Sequence, residues 1–109
     1  MQIIIRYTSK FGESTDGIEI INVPVLNDYD QTRATFKCLE DNHWALVIEH
    51  WVLDKKNLKY KWQHDSIHET LLKSDTECSA REYRDWLWKY IRYVEIDGRD
   101  FWTNPKLNN

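Results

Sequence analysis

The chain is short of several things: three glycines, two prolines, two cysteines and one methionine in 109 residues, and no long apolar run. Each shortage excludes something. So little glycine and proline excludes a fibrous or disordered chain, and no tract reads as a linker. Two cysteines, Cys38 and Cys78, allow at most one bridge. No secretory segment is read at Met1-Gln2-Ile3-Ile4-Ile5-Arg6, so free thiols in a cytoplasm, the chain's own cell's or a host's, are expected. The longest apolar runs, Trp44 to Ile48 and Trp51 to Leu53, are too short to span a bilayer, and no membrane partner is expected. Neither sign of charge dominates: 15 Lys+Arg against 18 Asp+Glu leave −3. That is too little for a basic nucleic-acid-binding tail or a wholesale DNA mimic. There is no glycine-rich phosphate loop and no Gly-x-Ser-x-Gly elbow, so neither a cofactor nor catalysis is expected.

Aromatic residues are plentiful instead: 14% of the chain, with six Trp and six Tyr. The length suits one domain over residues 1–109 with a single core.

Residues 2–63 read as strands with short turns. Gln2–Tyr7 is β-rich, and Phe11 to Gly17 carries turn chemistry. Ile18–Leu26 is a second strand, with Pro24 marking an edge strand or an end near Val23. Thr32–Leu39 alternates, placing Ala34, Phe36 and Cys38 on one face and Arg33, Thr35 and Lys37 on the other. Trp44–Leu53 is the most apolar segment and reads as the central strand. Leu58, Tyr60 and Trp62 then alternate with Lys59, Lys61 and Gln63. Consecutive strands with short turns imply an antiparallel meander of about five.

The pattern changes after Trp62. Ser66-Ile67-His68-Glu69 and Ser79-Ala80-Arg81-Glu82 both match the capping box, in which Ser and Glu satisfy early backbone N–H groups reciprocally. They predict helices over about 66–73 and 80–94. In the second, Tyr83, Trp86, Leu87, Tyr90, Ile91 and Val94 form a stripe at i, i+3, i+4, i+7, i+8 and i+11. Asp97-Gly98 ends or turns that element, and Phe101-Trp102 is a short strand or an anchoring tail within a terminal segment, 99–109. The expectation is an α+β fold: a five-stranded antiparallel meander followed by two helices packed on one face.

His64 and His68 are four apart, but the cap at Ser66 leaves His64 off the helix, and no metal site is expected. Glu49 and His50 interrupt the central strand and point to opposite faces. A buried Glu49 beside His43 or His50 would suit acid–base work. The blander reading pairs it with Lys59, Lys61 or Lys37 on an open sheet face. Two surfaces stand out as partner-binding. One is the wet face of the second helix: Arg81, Arg84, Trp88, Lys89 and Arg92. The other is a sheet face bearing Lys37, Glu49, Trp51, Lys59 and Lys61. At least one of Trp51, Trp88 and Trp102 is expected to mark such a surface, since Trp, Tyr and Arg dominate interfaces.

The functional expectation is a stand-alone protein-binding module. Its form would be an inhibitor or immunity-type protein, bacterial or from a phage acting against a defence, that blocks a larger toxin or nuclease. The alternative is a single-stranded nucleic-acid-binding module using basic and aromatic surface groups.

Overall fold

The computed structural model describes residues 1–8, 17–24, 31–69 and 71–106. The strands are β1 (Gln2–Tyr7), β2 (Ile18–Asn22), β3 (Thr32–Cys38), β4 (Trp44–Asp54), β5 (Lys59–His64), β6 (Ile91–Ile96) and β7 (Arg99–Thr103), and the helix is α1 (Ala80–Tyr90). The predicted turn at Phe11 to Asp16 and the polar connection at 27–30 lie outside the described residues. The α+β reading holds in outline, with two corrections. The strands form two sheets, ordered β2-β1-β6-β7 and β3-β4-β5, in place of one meander. The described residues contain one helix in place of two.

The chain divides into two compact units, Met1–Pro24 with Arg81–Asn109, and Val25–Ala80. In the first, β1 is central, pairing antiparallel with β2 on one side and β6 on the other. Ile3, Ile5, Ile91 and Val94 are fully buried. Pro24 lies beyond the end of β2, and β2 is an edge strand, as a residue with no N–H to donate requires. β6 and β7 form a hairpin through Asp97 and Gly98, both at positive φ (50° and 78°), the conformation a two-residue primed turn demands.

The helix expected over 80–94 stops at Tyr90, and Ile91–Ile96 is a strand. The cause is a register break. Val94 faces Ile5 and Ile91 faces Tyr7, with a bulge between. One extra residue in β6 therefore keeps Ile91 and Val94 on the same sheet face although they are three apart. Their spacing imitates a helical stripe. The helix end is sealed by main-chain and side-chain donors from two other segments, because its last carbonyls have no partners within the helix. Thr8 donates from its N–H to Tyr90 O (2.9 Å) and from its hydroxyl to Lys89 O (3.2 Å). The buried Asn104 amide donates to Trp88 O (2.6 Å) and Ile91 O (2.9 Å).

In the second unit, β4 is central between β3 and β5. Trp44 and Trp51 lie on opposite faces, and Leu46, Val47 and Ile48 are fully buried. The helix expected over 66–73 is absent; the described residues there make turns. Its backbone groups are used elsewhere. Beyond the reach of β5, the free edge of β4 is taken up by this segment: Leu46 N–H donates to Leu71 O (2.9 Å), Ser74 N–H to Trp44 O (2.8 Å) and Asp65 N–H to Ile48 O (2.8 Å). The cap chemistry also begins one residue earlier, since Ile67 N–H donates to Asp65 Oδ1 at 3.0 Å. Leu72, at φ 48°, turns its side chain into the core.

Candidate protein-binding face

The turn from Leu39 to His43 sets the β3–β4 register, with Leu39 N–H donating to His43 O (2.8 Å). That register puts Arg33 opposite Glu49. The shorter β4–β5 hairpin, held by Asp54 accepting from Lys56 N–H (3.0 Å) and the Asn57 amide (2.9 Å), puts Trp51 opposite Trp62 and Leu53 opposite Tyr60. By strand alternation, Arg33, Lys37, Glu49, Trp51, Leu53, Tyr60, Trp62 and His64 share one face.

Glu49 is only 2% exposed. Its Oε1 lies 3.0 Å from Arg33 Nη2 and 3.1 Å from Arg33 Nε, and its Oε2 lies 3.1 Å from Lys37 Nζ. Burial pushes the carboxyl upward, but the hydrogen bonds and charges of Lys37 and Arg33 outweigh it, and the group sits below the ordinary range. Glu49 therefore serves to hold two half-exposed cations in place. The Arg33 guanidinium also lies 3.8 Å from the Trp62 ring centroid. Trp51 is tilted against Trp62 at 5.1 Å and stacked with Tyr60 at 5.9 Å. The array opens at Tyr60, 55% exposed, and Leu53, 44% exposed.

Of the sheet residues picked from sequence, the fold brings together Lys37, Glu49 and Trp51. It places Lys59 and Lys61 on the opposite face, where Lys61 Nζ lies 3.7 Å from Asp54 Oδ2. Arg33, Leu53, Tyr60 and Trp62 join Lys37, Glu49 and Trp51, beyond the residues the sequence pattern marks. Their signal lay in the turn lengths, which fix cross-strand neighbours once the strands are accepted.

The helix face is also divided. Arg81, Arg84 and Lys89 are exposed on α1, but Arg92 lies in β6. Trp88 is half-buried between two cations, the Arg84 guanidinium at 4.9 Å and Lys106 Nζ at 5.0 Å. Lys89 Nζ lies 5.2 Å from the Tyr90 ring. The Trp88 indole thus joins the C-terminal segment to the helix. Trp102 is half-buried in β7, opposite Val94.

Glu49 and His50 do point to opposite faces. His50 instead joins a part-buried polar chain: Thr32 Oγ1 lies 3.0 Å from Nδ1, and Asp65 Oδ2 lies 3.0 Å from Nε2. Burial raises the Asp65 carboxyl; hydrogen bonds from His50 and Ile67 N–H and attraction to His68 and His50 outweigh it, so the net shift is downward. Both ring nitrogens of His50 are thus engaged, Nδ1 by the Thr32 hydroxyl and Nε2 by the Asp65 carboxylate. The cleft beside it, about 260 Å³, is walled by His50, Gln63, His64 and Asp65 among others, but not by Thr32. These hydrogen bonds tie β3, β4 and the turn after β5 together.

His43 faces Asp41 (3.0 Å), and His64 Nε2 lies 3.5 Å from Glu69 Oε2. Among the described residues no three His, Cys, Asp or Glu side chains are grouped to hold a metal, and no helix is long and apolar enough to cross a membrane. Cys38 and Cys78 are free thiols, Cys38 exposed at the end of β3.

The fold defines a small two-sheet α+β protein. No family model, curated protein or solved structure matches the chain.

Proposed function

We propose that this chain is a protein-binding module that grips its partner with the aromatic end of the β3–β4–β5 face. One observation carries the reading: the Arg33 guanidinium is fixed at once by buried Glu49 and by the Trp62 ring, beside the exposed edge formed by Tyr60 and Leu53. Arg, Trp and Tyr are the side chains that dominate interface energetics. Groups locked before contact lose less entropy on binding. Lys55 and Lys56 lie exposed in the turn that follows Leu53 and Asp54, so the surface it suits is an apolar patch rimmed by acidic groups. An inhibitor or immunity-type role, blocking a larger enzyme such as a toxin or defence nuclease, is the specific form put forward.

Single-stranded nucleic acid is the competing ligand, since the face is both basic and aromatic. Two features favour protein. Glu49 holds Arg33 and Lys37 in place and offsets one of their two charges, and Trp51 and Trp62 stack on neighbours, leaving little ring face for a base.

The test uses the immobilised full chain to capture proteins from lysate of its source cells. Tyr60→Ala with Leu53→Ala should lose the captured protein while circular dichroism stays native, and Arg84→Ala should retain it. Capture indifferent to Tyr60 and Leu53 would overturn the assignment. So would an oligonucleotide that quenches tryptophan fluorescence saturably and is released steeply by salt.

A further inference from the structure

The outer strands of the two sheets are β2, β7, β3 and β5. An outer strand exposes unpaired backbone groups and invites another strand unless something blunts it. Three of the four carry such devices. β3 bears Arg33 and Lys37, β5 bears Lys59 and Lys61, and β7 bears Arg99 and Asp100 beside a register break opposite Val94 and Glu95. The fourth, β2, reads Ile18-Glu19-Ile20-Ile21-Asn22. It holds no lysine, arginine or proline and its pairing with β1 is unbroken. Its one charged side chain, Glu19, accepts a hydrogen bond from the Tyr7 hydroxyl at 2.7 Å.

The phase of the ladder shows which groups face outward. Val23 N–H donates to Met1 O (2.7 Å), the Met1 ammonium donates to Val23 O (2.8 Å), and Tyr7 N–H donates to Gly17 O (2.9 Å). Hydrogen-bonded and non-hydrogen-bonded pairs alternate along an antiparallel ladder. Glu19 and Ile21, opposite Ile5 and Ile3, are therefore bonded to β1. Ile18, Ile20 and Asn22, opposite Arg6, Ile4 and Gln2, turn their N–H and C=O groups away from it. The same alternate residues place Ile18 and Ile20 on one face, where they are 54% and 56% exposed. Among the described residues, ladder groups without a strand partner and exposed apolar surface thus coincide on one short strand.

We propose that β2 pairs antiparallel with β2 of a second copy of this chain, about a two-fold axis at Ile20. In that register Ile20 meets Ile20 of the second copy, Ile18 meets Asn22, and Glu19 meets Ile21. No like charges stand opposite one another. The three outward residues of each strand all find partners, making about six main-chain hydrogen bonds. The two four-stranded sheets become one continuous sheet, closed by symmetry and incapable of growing further at that edge. Self-complementarity is what selects a second copy: the exposed Ile20 pair falls on the axis, and the one charge of each strand, Glu19, stands opposite Ile21 instead of another carboxylate. The contact is small beside the roughly 1,600 Å² of a standard interface, so the dimer is a weak one, with dissociation in the micromolar range or above.

Sedimentation of the full chain from low micromolar to sub-millimolar concentration should show monomer passing to dimer. Ile20→Lys, at an exposed position, should remain monomeric with native circular dichroism. Amide hydrogen exchange gives a second readout that does not depend on a variant folding. Ile20 and Asn22 N–H should gain protection as concentration rises, while Ile21 N–H, bonded to β1, should be protected throughout. A chain monomeric over the whole range, a dimer that survives Ile20→Lys, or association without concentration-dependent protection at Ile20 would each overturn the proposal.

Discussion

Glu49 shows how one residue can be read two ways from sequence and one way from structure. An acid in the middle of an apolar strand needs a partner if it is buried, because an unpaired buried charge is costly. Lys37 is among the partners the strand pattern allows, and Arg33 shares its expected face. What composition could not convey is that the acid is sealed while its cations stay half-exposed. That asymmetry gives a prediction. The folded pKa of Glu49 lies below its ordinary value of 4.5. Its carboxylate therefore adds stability that is fully present above that value and is lost as pH falls through the folded pKa. Glu49→Gln should cost about 1–2 kcal/mol at neutral pH. It should also lose less stability than the wild type between neutral and strongly acidic solution. Urea unfolding at the two pH values measures both, and parallel losses in the two proteins would mean that Glu49 is not held as described.

Among the elements, legibility tracked how local the deciding interactions were. The alternation of β3, β4 and β5 depends on neighbours two apart, and it was visible. The start of α1 was visible too, since Ser79 immediately precedes Ala80 in a capping pattern. The failures came where distant bonds override local preference. Ser66 heads an equally good capping pattern, but β4 needs hydrogen bonds along its edge and draws the 65–74 backbone into turns. Ile91 and Val94 carry helical spacing, but β1 recruits them as a bulged strand. Turns give the matching test, because positive φ has a known cost for any residue with a side chain. Gly98 lies at φ 78° with open space around an added Cβ, so Gly98→Ala should destabilise by about 1 kcal/mol through the backbone alone. Leu58 occupies the same region at φ 53° with an exposed side chain, so Leu58→Gly should raise stability, by about 0.5–1 kcal/mol. Thermal melts of the two variants should move in opposite directions; a shift of the same sign in both would contradict the assigned turn conformations.

The whole molecule interleaves a local sheet with a distant one. The chain builds β1 and β2, passes through the entire β3–β4–β5 sheet, and then returns to complete the first sheet. This is why a meander was the natural reading: sequence order suggests that neighbours pair, and nothing in residues 1–24 announces that β1 awaits β6. It also fixes an order of assembly. The Arg33–Glu49 pair closes a span of 16 residues, whereas Gln2 and Asp97 are 95 apart. By loop-closure entropy the longer span costs roughly 1.5 kcal/mol more to close, and non-local pairing slows folding. During refolding, pulsed hydrogen-exchange labelling should find Leu46 and Trp51 N–H, bonded to Leu71 O and Gln31 O, protected before Thr8 and Asp97 N–H, bonded to Tyr90 O and Gln2 O. The middle sheet would then stand formed while the two ends of the chain are still unpaired, and its completion would shorten the span those ends must close. Simultaneous protection of all four amides would show instead that both sheets form in one step, and earlier protection at Thr8 would reverse the order argued from span length.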